Sequence, residues 1–264
     1  MPGVSSGGVT IHYEVAGQGR PIVLLHSFLC SGEMWSEQVP ELAARFRVIN
    51  IDLRGHGASG EVTRRCSIYD MVEDVCRVLD DAGEASAIWA GLSIGGMISM
   101  RAALVAPERV DALLLLDTEA AAERPFNRIK YRVMGGVART LGFGPLRGQI
   151  SRQMFGATTM RERGPLLEEW SRRFAELHVP SILWMLGALV TRDDVTPRLQ
   201  KIAVPSLVLV GAEDRSLPPE RSRRIAARLP NATLREIAGA GHLSTLEQPR
   251  EVTDAMLSFL DTLG

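Results

Sequence analysis

The sequence has no long apolar run and no excess of charge of either sign. None of its 264 residues belongs to a run approaching the roughly 20 apolar residues that span a membrane. A formal net charge of −1 gives no global field that would attract nucleic acid or an anionic membrane. The first residues, MPGVSSGG, lack the basic and then apolar pattern of a secretory signal peptide. We therefore expect a cytoplasmic protein that acts on small molecules, with no nucleic-acid or membrane partner.

Cysteine is also scarce. The three cysteines, Cys30, Cys66 and Cys76, are odd in number and lack the spacing of a metal site. Their number argues against a disulfide framework and fits the reducing conditions of the cytoplasm. Each is expected to be a small buried apolar residue. Nothing in the sequence suggests a metal ion or an organic cofactor.

The sequence does contain a regular alternation of short apolar runs and amphipathic stretches. Runs such as PIVLLH at 21–26 are apolar throughout, as in parallel strands covered on both faces. We predict strands at 10–15, 21–26, 48–53, 87–92, 110–117, 205–211 and 232–237, and helices at 31–45, 68–79, 94–105, 219–229 and 251–263. The glycines at 17–19 predict a hairpin turn after the first strand. Strands alternating with helices predict an α/β protein with a mostly parallel, twisted sheet flanked by helices.

Residues 118–201, called here the cap segment, interrupt this alternation without a clear strand pattern. They predict several helices, broken at Gly135-Gly136, at 142–145 and at Gly164-Pro165. A helical insertion after a strand lies naturally over the carboxyl ends of the sheet, where open α/β sheets bind ligands. We therefore predict a core domain of residues 1–117 and 202–264 with a helical cap, or lid, at 118–201.

A single serine lies between glycines where a predicted strand meets a predicted helix. The stretch from Gly91 to Gly95, GLSIG, matches the pattern G-x-S-x-G. In this context the chain turns sharply and holds the serine hydroxyl above the sheet, in the arrangement known as a nucleophile elbow. Ser93 is therefore the candidate nucleophile, and the alternative is an ordinary glycine-rich turn.

A serine hydroxyl is a weak nucleophile, so it needs a base. Two histidines follow Ser93 in the chain: His242 lies in the loop GAGH after the last predicted strand, and His178 lies inside the cap segment. A loop at the carboxyl edge of the sheet can place an imidazole over Ser93, whereas a helix of the lid is less well placed to position a base there. We favour His242 as the base and a structural or lid role for His178.

The base in turn needs a carboxylate that orients it, and the chain order serine, acid, histidine leaves two main candidates. Asp214 follows the strand at 205–211, and Asp117 ends the strand before the cap segment. We favour Asp214, with Asp117 as the alternative. For either residue the competing interpretation is a loop carboxylate that caps a nearby turn or helix.

The transition state of acyl transfer also needs hydrogen-bond donors for its oxyanion. Ile94 follows the candidate nucleophile at the start of a helix, and its backbone N–H is one expected donor. Phe28 lies in the loop after the strand at 21–26 and is expected to supply the second. These two N–H groups form the predicted oxyanion hole.

Five segments together resemble the α/β-hydrolase superfamily from about residue 10 to residue 263. In chain order they are LLHSFLCSGEMW, IDLRGHGASG, GLSIGGM, LVGAEDRSLP and GAGHLSTLEQP. The resemblance implies the α/β-hydrolase fold, a helical cap after the sixth strand, a Ser-His-Asp catalytic triad at Ser93, His242 and Asp214, and no cofactor. Three segments, RGHGAS, GLSIGGMI and HLSTLE, are similar to 3-oxoadipate enol-lactonases and related lactonases and esterases. Ser27 stands where this family commonly has glycine.

These observations predict a serine hydrolase that cleaves a small-molecule carboxylic ester or lactone through an acyl-enzyme. Two other reactions use the same triad, namely carbon–carbon bond hydrolysis and perhydrolysis, and neither fold nor triad separates them. A small-molecule receptor that keeps the triad is a further alternative. An exposed apolar patch on the cap segment would favour the receptor, and a closed pocket at Ser93 would favour the enzyme.

The substrate pocket is the least specified part of the sequence. Trp170, Phe174, Trp184, Met185 and Leu186 are candidates to line an acyl pocket, or else they form the core of the cap segment. The cap segment contains 14 Arg or Lys and eight Asp or Glu residues. This basic balance could attract a carboxylate-bearing substrate, or it could reflect an ordinary solvated surface.

Overall fold

The computed structural model describes residues 3–264, which form one eight-stranded sheet with helices on both faces. The strands are β1 (Gly3–Ser6), β2 (Val9–Ala16), β3 (Pro21–Leu25), β4 (Arg47–Ile51), β5 (Ala87–Leu92), β6 (Val110–Leu116), β7 (Ser206–Gly211) and β8 (Ala232–Ile237). Their order in the sheet is β1-β2-β4-β3-β5-β6-β7-β8. The two pairs that involve β2 are antiparallel and all other pairs are parallel. The predicted α/β class with a mostly parallel sheet is confirmed.

Eleven α-helices connect or flank these strands in the described part of the chain. They are α1 (Gln38–Ala43), α2 (Ile68–Asp81), α3 (Ile94–Val105), α4 (Pro125–Leu141), α5 (Arg147–Met154), α6 (Ala157–Glu162), α7 (Gly164–Ala175), α8 (Val179–Val190), α9 (Pro219–Ala226), α10 (Ser244–Glu247) and α11 (Pro249–Leu260). Short 3₁₀ helices span Gly32–Trp35, Pro107–Arg109, Gly144–Leu146, Thr196–Lys201 and Asp261–Leu263. Among residues 3–264, no helix combines the length and apolarity needed to cross a membrane.

The central strands are buried on both faces, which explains their continuous apolar runs. Successive side chains of a strand point to opposite faces, so β5 contributes side chains to two different cores. Trp89 packs in the core that includes Val75 of α2 and Met97 of α3. Ile88 packs in the opposite core, which includes Met256 of α11. β5 is therefore packed between the two helical layers.

The structure differs from several local predictions. The turn at 17–19 does not close a hairpin, because β2 pairs with β1 and β4, and β4 lies between β2 and β3. The helix predicted at 31–45 is divided into a 3₁₀ turn and α1, and α4 continues through Gly135-Gly136 without a break. Strand β1 was not predicted, because its four residues, GVSS, carry little apolar signal.

The cap segment contains α4 to α8, lies between β6 and β7, and is hydrogen-bonded to the sheet-edge loops. The Ser181 hydroxyl of α8 accepts a hydrogen bond from Val62 N at 3.0 Å. Near α6, the carboxylate of Glu213 accepts from Thr158 N at 2.7 Å, and that of Glu247 accepts from Gly156 N at 2.8 Å. These bonds fix the cap segment against the segments that follow β4, β7 and β8.

Candidate active site

Ser93 occupies the turn between β5 and α3 in a strained backbone conformation. Its φ of 56° lies in the left-handed region, which non-glycine residues rarely adopt. Tertiary hydrogen bonds hold it there: Ser93 N donates to Leu116 O at 2.9 Å, and Thr118 Oγ1 donates to Ser93 O at 2.6 Å. A strained residue that is fixed from both sides is typical of a functional turn rather than a simple connection.

The glycines around Ser93 are required by close backbone contacts. A Cβ on Gly91 would overlap the backbone of Gly95, and a Cβ on Gly95 would overlap the carbonyl oxygen of Leu25 in β3. The turn can therefore be this tight only with glycine at both positions. This packing explains the spacing G-x-S-x-G physically and sets the serine at the carboxyl end of the strand.

His242 and Asp214 form a hydrogen-bonded pair close to this turn. His242 Nδ1 lies 2.8 Å from Asp214 Oδ2, and both side chains are almost completely buried. The other carboxylate oxygen, Asp214 Oδ1, accepts from Ser216 N at 2.8 Å and Leu217 N at 2.9 Å. Asp214 therefore both caps its own turn and orients the imidazole, so the two interpretations of this residue are compatible.

The electrostatic environment raises the pKa of His242 above its ordinary value of 6.5. Burial opposes protonation, but the charge and hydrogen bond of Asp214, with additional charge from Asp117 and Glu247, outweigh that effect. The imidazolium form is thus stabilised relative to an isolated histidine. A base of this kind is suited to accepting and then returning a proton.

Asp117 does not contact His242 through any of the described hydrogen bonds. It directly follows β6, and its Oδ1 accepts from Gly211 N at 2.7 Å while its Oδ2 accepts from the Ser244 hydroxyl. Burial and the neighbouring charge of Asp214 raise the pKa of this carboxyl well above its usual range. Its bonds tie the end of β6 to the end of β7 and to α10, and none of them reaches His242.

The remaining histidines have structural partners. His26 Nε2 accepts from Leu53 N at 2.9 Å, and His56 Nε2 accepts from Leu29 N at 3.3 Å. Burial lowers the pKa of both, that of His56 to about 3, so both are neutral acceptors. His178 precedes α8, and its Nδ1 lies 2.9 Å from the Ser181 hydroxyl.

The loop after β3 lies beside Ser93. Ser27 N donates to Met34 Sδ and Leu29 N donates to His56, whereas the intervening Phe28 N–H has no partner among the described residues. Ile94 is the first residue of α3, and the first N–H groups of a helix lack intrahelical acceptors. Both proposed oxyanion donors therefore lie in segments with available N–H groups.

Ser93 and His242 line one cavity between the sheet edge and the cap segment. The cavity has a volume of about 110 Å³, and roughly 10–15 Å³ by the same measure holds one water molecule. Most of its lining is apolar; from α8 it includes Ile182, Leu183, Leu186 and Leu189. Such a cavity can hold a small acyl or alcohol group against the serine.

The aromatic residues predicted to line the substrate pocket lie elsewhere. Trp170 and Phe174 pack against each other in α7 with ring centroids 6.1 Å apart, and Trp184 projects from α8 with 41% of its surface exposed. None of these three is among the described residues that line the cavity at Ser93. Of the other two candidates, Leu186 lines the cavity and Met185 belongs to the core. The sequence shows which residues are apolar but not which face of each helix is turned to the serine.

Glu123, Tyr131 and Arg192 also line the cavity and were not singled out from the sequence. Glu123 precedes α4 and Arg192 follows α8, so the two lie 69 positions apart in the chain. No local sequence motif predicts such a pair, because the pair forms only when the two ends of the cap segment come together in the fold.

Comparison with known proteins agrees with this geometry. Residues 20–249 match the family model of the alpha/beta hydrolase fold. The chain is 32% identical over 266 residues to "Putative carbamate hydrolase RutD" of Azorhizobium caulinodans, covering 98% of each chain.

Two solved structures are similar over nearly their whole lengths. A thermophilic esterase from Thermogutta terrifontis, with malate bound, has a TM-score of 0.94 and 28% identity, covering 99% of this chain and 97% of that one. The enol-lactonase from Burkholderia xenovorans has a TM-score of 0.91 and 27% identity, covering 98% of this chain and all of that one.

Proposed function

Because the chain belongs to the α/β-hydrolase family, we propose that it is a serine hydrolase that cleaves a small-molecule carboxylic ester or lactone. The observation that carries this proposal is the shared cavity of Ser93 and His242, with His242 held by Asp214 at 2.8 Å. The esterase and the enol-lactonase among its structural relatives support the same class of reaction.

In the proposed first half-reaction, Ser93 Oγ attacks the carbonyl carbon of the ester while His242 Nε2 takes the hydroxyl proton. Asp214 keeps the Nδ1–H of the imidazole directed toward its own carboxylate and stabilises the imidazolium. The Phe28 and Ile94 N–H groups donate to the oxyanion of the tetrahedral intermediate. The intermediate then expels the alkoxide, which receives the proton from His242, and the acyl-enzyme remains.

Water completes the reaction by the same route. The oxygen of a water molecule attacks the acyl carbonyl carbon while His242 takes a proton from that water. His242 then gives the proton to Ser93 Oγ when the carboxylic acid leaves. With a lactone, the leaving alcohol stays tethered to the acyl group, so opening the ring and releasing the product are separate steps. No step requires a metal or an organic cofactor.

The same proposal assigns roles to the two parts of the chain. Residues 1–117 and 202–264 are the core domain that carries the triad, and residues 118–201 are the cap that closes the cavity. The predicted cytoplasmic location stays a prediction, with the three free cysteines as its basis. The substrate is a small molecule that fits the cavity.

A receptor role is the second candidate, because α4 carries an exposed apolar stripe. Phe126, Ile129 and Val133 follow helical spacing with 77%, 62% and 63% of their surfaces exposed. Exposed apolar faces of this kind are typical of partner-binding surfaces. The cavity at Ser93 favours the hydrolase, and the two roles separate experimentally because only the hydrolase needs the serine hydroxyl.

The test is hydrolysis of a short panel by the wild-type protein and Ser93→Ala. The panel contains nitrophenyl esters of increasing chain length, a neutral lactone and a carboxylated lactone. We expect the wild type to cleave at least one member of the panel and the variant to cleave none. Circular dichroism should show that both proteins are folded. Folded wild-type protein that cleaves none of them would overturn the proposal and favour the receptor or the carbon–carbon bond hydrolase.

A further inference from the structure

Arg192 is a buried arginine whose hydrogen bonds tie the two ends of the cap segment together. Its Nε donates to Ala121 O at 2.9 Å, and its Nη1 donates to Glu123 Oε2 at 2.9 Å and to Leu189 O at 2.8 Å. The exposed fraction of its side chain is only 1%. This arrangement accounts for three of the five N–H bonds of a guanidinium group.

The other two N–H bonds belong to Nη2, and this atom is not used structurally. Arg192 Nη2 is buried and has no hydrogen-bond partner among the described residues. Arg192 lines the same cavity as Ser93 and His242. Leaving a buried cationic donor unpaired costs a protein free energy, so an unpaired N–H group on a residue that lines the cavity points to a ligand acceptor.

The charge around Arg192 limits what this acceptor can be. The side chain of Glu123 is only 5% exposed. Its Oε2 lies 2.9 Å from Arg192 Nη1, so its negative charge neutralises the positive charge of the arginine. The other carboxylate oxygen of Glu123 is occupied by Asn127 Nδ2 at 2.7 Å and by Arg124 N. A substrate carboxylate would add an uncompensated negative charge beside Glu123 in a mostly apolar cavity, which is unfavourable.

We propose that Arg192 Nη2 binds a neutral carbonyl oxygen of the substrate, at a position removed from the carbonyl that Ser93 attacks. This inference rests on the proposed function and names its substrate class: an ester or lactone that carries a second, uncharged carbonyl group. Tyr131 lines the cavity as well. The basic excess of the cap segment therefore does not select an anionic substrate at this cavity.

The experiment compares matched esters with the wild-type protein. One series of nitrophenyl esters carries a ketone at successive positions of the acyl chain, and each has a partner in which a branched hydrocarbon replaces the ketone. A second series of esters carries the ketone, or its branched hydrocarbon partner, in the alcohol part of the molecule instead of the acyl chain. Half-esters of dicarboxylic acids of equal length supply the carboxylate in place of the ketone.

We expect kcat/KM for a ketone ester to exceed that of its hydrocarbon partner by about tenfold or more at one position, as for a hydrogen bond to a charged donor. Arg192→Lys keeps a charge for Glu123 but lacks the Nη2 donor, and should bring the ketone-to-hydrocarbon ratio close to one. The ratio is independent of how much of a variant is folded. Arg101→Lys is the matched control, since Arg101 is equally buried, pairs with Asp193 and should retain the wild-type ratio.

The outcomes separate the two proposals. Ketone esters cleaved no faster than their hydrocarbon partners at every position in both series would overturn this inference while leaving the hydrolase intact. A higher kcat/KM for the half-esters than for the ketones would overturn it in favour of a carboxylate site. If the wild type cleaves none of these esters, hydrocarbon partners included, and neither lactone of the first panel, the proposed function fails and this inference fails with it. The wild-type comparison decides these cases even if Arg192→Lys does not fold.

Discussion

The sheet-edge loops and the cap segment line the same cavity but are built differently. In the loops, backbone geometry fixes each polar side chain: Ser93 lies on a strained turn, and His242 is held by Asp214, whose other oxygen is bound to two backbone N–H groups. In the cap segment, residues of α4, α5 and α8 form the cavity wall, and its buried polar group is the pair of Glu123 and Arg192.

This difference indicates that the sheet-edge loops and the cap segment have separate roles. A parallel sheet brings the ends of its strands together whatever the substrate, so the reacting groups can be fixed there. The inner face of a helical cap changes with single substitutions that leave the sheet intact. We infer that the loops determine the reaction and that the cap segment determines which substrate is accepted. Substitutions on the two sides should therefore have different kinetic signatures.

The largest expected effect is that of Ser93→Ala on the loop side. Removing the proposed nucleophile should lower kcat on the order of 10⁶-fold, because in the proposed mechanism the base and the orienting acid act only through the serine. Thermal unfolding should be almost unchanged, since the side chain is small. Steady-state kinetics and calorimetry on the same preparation check both statements. A variant with near wild-type turnover would remove Ser93 from the mechanism.

Asp214→Asn should have the next largest effect. An amide at this position cannot stabilise the imidazolium and favours the wrong tautomer of His242, so kcat should fall on the order of 10⁴-fold. Asp117→Asn is the matched control, because an amide can still accept from Gly211 N and donate to the Ser244 hydroxyl, and its loss should be much smaller. Measured kcat values in the reverse ranking would transfer the orienting role to Asp117.

On the cap side, Leu186→Ala should change selectivity rather than chemistry. Truncating a side chain that lines the cavity should lower kcat/KM for the preferred short ester by about tenfold or more, since pocket contacts of this size discriminate to that extent. Trp184→Ala, on the outer face of the same helix, should leave kcat/KM unchanged. Equal losses in the two variants would mean that α8 acts through stability, and a loss confined to Trp184→Ala would contradict the cavity assignment.

The smallest expected effect is a displacement of the pH profile. In the proposed mechanism His242 must be neutral to accept the proton of Ser93, and the carboxylates around it raise its pKa. As pH falls, activity should therefore decline with a midpoint above the ordinary histidine value of 6.5. The pH dependence of kcat/KM measures this midpoint for the free enzyme. A midpoint below 6.5 would show that burial outweighs Asp214.

The sequence predicted the site's framework where local signals determine structure. Predicted strand 87–92 and helix 94–105 coincide with β5 and α3, because apolar runs and glycines define that turn within a few residues. The cavity wall could not be predicted in the same way. Trp184 and Leu186 lie two positions apart in the sequence and both are apolar, yet only the packing of α8 decides which one lines the cavity at Ser93.

The central claim, that Ser93 is the nucleophile, is tested most directly by covalent labelling. The wild-type protein and Ser93→Ala are treated with a fluorophosphonate, which reacts with activated serines, and the adduct is located by mass spectrometry of the digested protein. We predict one adduct per wild-type chain, on the peptide that contains Ser93, and none on the variant. An adduct on another residue, or equal labelling of the variant, would contradict the account.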